Sequence, residues 1–95
     1  MSTIPLYDPR GIVDAAPRAT APRASKLDGL RLGLLDNTKW NANRLLRGVR
    51  DRLAQKHRFG AVNYYRKDSF SSAASTALLD EIAAANDIVV TAIGD

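Results

Sequence analysis

The stretch of this chain best supplied for chemistry is Asp36-Asn37-Thr38-Lys39-Trp40-Asn41. It follows a short apolar run, Leu30 to Asp36, and precedes a helical pattern, so it reads as a loop leading from a strand into a helix start. Backbone N–H groups at a helix start lack intrahelical partners, and the helix dipole favours negative charge there. Lys39 adds a full positive charge, and Asn37 and Asn41 add amide donors. That set suits a carboxylate, a phosphate, an enolate or a thiolate. Asp36 is placed to orient these groups or to act as an acid or base, and Thr38 and Trp40 are read as substrate contacts. A second stretch, Gly94-Asp95, follows the apolar run Ile88 to Ile93 and would open beside the first if the two runs are neighbouring parallel strands. The candidates are therefore Asp36, Lys39 and Asp95 for catalysis, and Asn37, Thr38, Trp40, Asn41 and Gly94 for substrate binding. The same residue types also describe a plain helix start, with Asn37, Thr38 or Asn41 as cap, Lys39 solvated and Trp40 in the core.

Other chemistries are disfavoured. With no cysteine, these residues hold no disulfide, thiolate metal site or thiol nucleophile. His57 falls at the far end of the helical pattern, so no Ser/His/Asp set can be assembled. Leu32-Gly33-Leu34-Leu35-Asp36 lacks the G-x-G-x-x-G spacing, and a P-loop is absent. No cofactor is expected, and metal dependence stays open. The net charge of +4 is unevenly spread: seven Lys and Arg residues lie between Lys39 and Arg58 against Asp51 alone. The stripe Arg44, Arg47, Arg50, Arg52 is either a solvated helix face or a nucleic-acid contact. No aromatic residue interleaves it, so single-strand stacking is not suggested, and the solvated face is the favoured reading. Arg66-Lys67-Asp68-Ser69 reads as a solvated turn in preference to a guard of the crevice.

The elements that must position these residues follow from periodicity. Ala42, Leu45, Leu46, Val49 and Leu53 form one stripe of a 3.6-residue period, giving a helix over Asn41 to Lys56 with Arg47 and Asp51 placed to pair. Phe59 to Tyr65 reads as a strand. Ala74, Ala77, Leu78, Ile82 and Ala85 predict a second helix over Ser72 to Ala85, with Ser69, Ser71 and Ser72 as possible caps. The alternation β, α, β, α, β predicts a Rossmann- or flavodoxin-like parallel half-domain with strand order 2-1-3. Ligands are expected in the crevice outside the carboxyl ends of strands 1 and 3. Pro5, Pro9, Pro17 and Pro22 mark residues 1–27 as an extended arm, disordered or packed on a partner, and 28–95 as the α/β portion. No run of apolar residues is long enough to span a membrane, and the N-terminus lacks a signal-peptide core. A soluble cytoplasmic protein is expected.

Leu32 to Leu46, LGLLDNTKWNANRLL, is similar to the N-terminal signature of the UGSC family, named for a selenocysteine or cysteine followed by Gly-Ser-Cys. The run Leu6 to Pro9 and the strand Ile88 to Ile93 with its Gly94-Asp95 ending also resemble that family. The Asp36-Asn37-x-Lys39-x-Asn41 core is the specific part of the likeness. In the family the reactive Cys or selenocysteine stands just after the Gly-Asp pair. The resemblance therefore implies a thiol or selenol supplied from outside these residues, most simply by a partner chain carrying the Cys-Gly-Ser-Cys-type motif and completing the half-domain. A separate gene product, a cleaved precursor and a truncation all fit. At fold level only, the layout also resembles the aspartate/glutamate racemase superfamily, an analogy that carries no function alone. The expected role is the small subunit of a heteromeric thiol-dependent enzyme, doing lyase, hydratase or isomerase chemistry on a small polar or carboxylated molecule. A thiol–disulfide redox subunit and a non-catalytic nucleic-acid-binding module are the alternatives.

Overall fold

The computed structural model describes residues 4–11 and 16–94. Its elements run β1 (Arg31–Asp36), α1 (Ala42–Lys56), β2 (Ala61–Arg66), α2 (Thr76–Ala85) and β3 (Ile88–Ala92). All pairing is parallel, in the order β2-β1-β3, so the expected α/β class and strand order hold. Asp36 is in register with Arg66 on β2 and with Ala92 on β3. The start of α2 differs from expectation: it opens at Thr76, because Ser75 caps it by accepting the Leu78 N–H at 3.1 Å. Ser69 and Ser71 bond to each other instead, at 2.8 Å. Residues 4–11 and 16–26 carry no helix or strand, and Ile4, Leu6 and Tyr7 are exposed. Ile12 and Val13 of the expected arm lie outside the described residues.

Alternate residues of β1 face opposite sides of the sheet. Leu32 and Leu34 face α1 and form the core with Leu46 and Ala92, joined by Leu53, Phe59, Ile88, Val90 and Ile93. Leu45, expected on the buried stripe, is half exposed. Arg47 does not pair with Asp51 as expected. Asp51 accepts from the neighbouring Arg50 at 3.0 Å, and the Arg47 guanidinium lies 5.8 Å from the Tyr64 ring centre. Gly33 faces the other side, where α2 ends.

Gly33 is small because Asn86 lies on it. A Cβ there would meet Asn86 Cγ at 2.8 Å. Asn86 is buried and cannot yield cheaply: it accepts from Asn63 Nδ2 at 3.0 Å and donates to Tyr65 Oη at 3.0 Å and the Ile82 carbonyl at 2.9 Å. Gly33→Ala is expected to cost about 1–3 kcal/mol through overpacking and broken buried hydrogen bonds. A shifted urea midpoint at unchanged slope reads this out, and an unshifted midpoint contradicts it.

The starts of β1 and β3 are tied by charge. Arg31 Nε and Nη2 donate to Asp87 at 3.2 and 3.1 Å, the Arg31 N–H donates to the same carboxylate at 2.8 Å, and the Asp87 N–H returns a bond to the Arg31 carbonyl at 2.8 Å. The Arg31 side-chain and backbone bonds hold the Asp87 pKa below its usual 3.8. A depressed carboxylate pKa gives stability that is present above the unfolded value and is lost as pH falls through the folded one. Unfolding curves should therefore show an acid-side loss beginning below about pH 4 that the Asp87→Asn variant lacks. Identical acid limbs would contradict it.

Candidate functional site

Asp36 ends β1 buried to 4% exposure, and both of its oxygens are used. Oδ1 accepts the Thr38 N–H at 2.7 Å, and Oδ2 accepts the Tyr64 hydroxyl at 2.5 Å. The first bond stabilises a tight turn in which Thr38 takes a left-handed φ of 67°. The second ties that turn to β2. Desolvation of the phenol, followed by the hydrogen bond and negative charge of Asp36, raises the Tyr64 pKa above its usual 10.0. The phenol thus stays a donor at neutral pH. A raised folded pKa means stability present below the unfolded value and lost as pH rises through the folded one. Spectrophotometric titration is expected to show a phenol whose ionisation is raised above the usual 10.0, and Tyr64→Phe to delete that transition. Its persistence in the variant would contradict the assignment.

Asn37 is used for structure in the opposite direction. Its N–H donates to the Ala92 carbonyl at 3.0 Å, its Nδ2 donates to the Ile93 carbonyl at 2.6 Å, and its Oδ1 accepts the Lys39 N–H at 3.2 Å. It therefore bridges the carboxyl ends of β1 and β3, the place where a ligand crevice was expected. Neither Asn37 nor Thr38 caps α1. The N-cap is Asn41, left-handed at φ 66°, and it makes no side-chain cap bond. The first turn closes through Ala42 N–H to the Lys39 carbonyl at 3.0 Å and Arg44 N–H to Asn43 Oδ1 at 2.8 Å.

Among the described residues, a concave surface lies on the β2 side of β1. A cleft of about 570 Å³ opens over the carboxyl ends of β1 and β2, beside the start of α1. Of the expected site residues, Asp36, Thr38, Lys39, Trp40 and Asn41 line it. Asn37 and Gly94 do not, and Asp95 lies outside the described residues. Trp40 is not in the core; it is 86% exposed at the rim. Asn43, Arg44, Arg47, Tyr64, Arg66 and Phe70 complete the lining; sequence reasoning put Arg44 and Arg47 in a basic stripe and Arg66 in a solvated turn, and assigned Asn43, Tyr64 and Phe70 to no site. The register of Asp36 with Arg66, once strands 1 and 2 are paired, is the signal that would have found one of them.

The cleft thus gathers four cations, Lys39, Arg44, Arg47 and Arg66, with one carboxylate, each of whose oxygens already accepts a hydrogen bond. Such a lining attracts and orients an anion. Among the described residues no group of three or more His, Cys, Asp or Glu could hold a metal, and no helix is long and apolar enough to cross a membrane.

A model of the UGSC family matches residues 5–95. No curated protein and no solved structure gives a match.

Proposed function

The chain belongs to the UGSC family, and on that premise we propose that it is the anion-holding subunit of a cytoplasmic, thiol-dependent enzyme. Its substrate is a small anionic molecule, and the chemistry is of the lyase, hydratase or isomerase kind. The observation that carries this reading is the cleft in which four cations surround the Asp36–Tyr64 pair.

On this reading the reacting sulfur or selenium belongs to a Cys-Gly-Ser-Cys-type motif brought to the cleft from outside these residues, which contain no cysteine. A thiolate that takes a proton from a carbon beside a carboxylate leaves enolate charge on the substrate. Cations fixed in advance of the reaction stabilise that charge without reorganising. Arg44, Arg47 and Arg66 grip the anionic group, and Lys39 favours the thiolate. Asp36 is a positioning residue, since its oxygens are committed to the loop and to Tyr64.

The test is to purify the tagged chain from its own cells, weigh the copurifying polypeptide, and follow its alkylation by iodoacetamide with and without citrate. A partner whose Cys or selenocysteine reacts fast, reacts more slowly once Lys39 is changed to Ala, and is shielded by citrate is the expected result. A partner without such a residue, or turnover by the 95-residue chain alone, contradicts the proposal.

A further inference from the structure

The same cleft has an aromatic half that anion holding does not use. Trp40, from the β1–α1 loop, is 86% exposed, and Phe70, from the β2–α2 loop, is 65% exposed; both line the cleft. Single apolar side chains scattered in water need no explanation. Two large rings carried by separate loops to the rim of one basic cleft are a different case, because convergent aromatic and charged groups are how small-molecule sites are built.

We propose that the cleft takes a planar ring carrying a phosphate group, a ligand of nucleoside-monophosphate class. This rests on the anion-holding reading of the cleft alone, with a phosphate as the group held, and is independent of the proton-transfer step described for a carboxylate. Arg44 and Arg47 stand one turn apart on α1, and Arg66 faces them from the end of β2. Guanidinium forks match the geometry of a phosphate as well as its charge. Trp40 and Phe70 offer flat faces for the ring, and stacking of a base on such a face is worth about 1–3 kcal/mol. Tyr64 is not a third platform. Its hydroxyl is donated to Asp36, and the Arg47 guanidinium sits 5.8 Å from its ring centre.

Size and charge distribution separate a mononucleotide from the neighbouring possibilities. A cleft of about 570 Å³ is in the range of sites for whole cofactor-sized ligands and roomier than a small acid needs. A nucleic-acid strand needs a basic track that continues past one nucleotide. Here the track stops: Arg50 is bonded to Asp51 at 3.0 Å, and neither Arg50 nor Arg52 lines the cleft.

The test is calorimetric titration of the full chain, with any partner that copurifies, using AMP, adenosine, ribose 5-phosphate, citrate and a short oligoadenylate as probes. AMP is expected to bind at least about tenfold more tightly than ribose 5-phosphate or citrate, and adenosine to give no heat, since stacking worth ~1.4 kcal/mol is a factor of ten. The double variant Trp40→Leu/Phe70→Leu is expected to reduce AMP to the affinity of ribose 5-phosphate while leaving the latter unchanged. Both residues are exposed, so the fold is retained and circular dichroism checks it. Equal binding of AMP, ribose 5-phosphate and citrate overturns the ring subsite and leaves the anion reading standing. No binding of any anion overturns both. Oligoadenylate binding far more tightly than AMP overturns the mononucleotide assignment in favour of a strand.

Discussion

Arg47→Glu is expected to weaken binding of AMP and of citrate by about a hundredfold or more, with the fold intact. A hydrogen bond to a charged group is worth about 1.5–3 kcal/mol, and reversing the charge replaces that attraction with repulsion. Each 1.4 kcal/mol is a factor of roughly ten in affinity, so the two effects together span about two decades. Arg47 projects from the exposed side of α1 into the cleft and takes no part in the core. Its loss also uncovers the Tyr64 ring, whose hydroxyl remains anchored by Asp36. Arg47→Lys keeps the charge but not the planar fork, and a smaller loss is expected of it. Arg52→Glu changes the net charge by the same amount outside the cleft and should leave the affinity within about twofold at moderate salt, where distant surface charges are screened. Calorimetry on the three variants reads the difference. Equal losses for Arg47→Glu and Arg52→Glu would mean that the general positive field, not the cleft, attracts the anion.

Leu34→Ala is expected to cost about 2–5 kcal/mol, through the lost transfer energy of the side chain and the cavity it leaves. Leu34 is 0% exposed at the centre of β1, the middle strand, and packs among Leu32, Leu46 and Ala92. Few side chains share that load. Among the described residues only Leu32, Leu34 and Leu46 are large and fully buried. Domains are commonly stable by about 5–15 kcal/mol, so a single truncation here removes a large share. Leu45→Ala is the matched control on the same helix. Leu45 is half exposed, and its loss should move the urea midpoint little. Similar midpoints for Leu34→Ala and Leu45→Ala would contradict the placement of the core.

The arrangement of strands was legible because it rests on local patterns. Short apolar runs separated by helical stripes leave a parallel sheet as the economical arrangement, and Ile88–Ala92 pairs with β1 as that pattern requires. The candidate loop was legible as a loop for the same reason. What the loop does was less so, because its polar groups pair over long separations. Asn37 looks like a cap in sequence, yet its amide reaches the Ile93 carbonyl, a contact set by strand order and not by neighbours in the chain. Asp36 looks like a candidate acid or base, yet Tyr64, 28 positions away, takes its second oxygen. Leu45 fits the apolar stripe by spacing, but the sheet beneath α1 is narrow, and Val62 and Tyr64 on β2 stay partly open as well.

The described cleft opens beside a different strand pair from the one the sequence pointed to. The rule for open α/β sheets points to the gap between β1 and β3. In this chain Asn37 spans that gap with two hydrogen bonds, and among the described residues a cleft falls between α1 and β2. Arg66 then changes meaning. Read along the chain it belongs to a solvated turn; read across the sheet it is the register partner of Asp36. The aromatic groups that the basic stripe lacks in sequence, Trp40 and Phe70, reach it from loops on either side.

Amide chemical-shift mapping by NMR, with AMP and then citrate added to the full chain, tests the location of the site most directly. Saturable shifts confined to residues 36–47 and 64–70 are the result this account predicts. Shifts spread along 50–58, gathered at the β1–β3 side around Asn37 and Gly94, or absent throughout would contradict it.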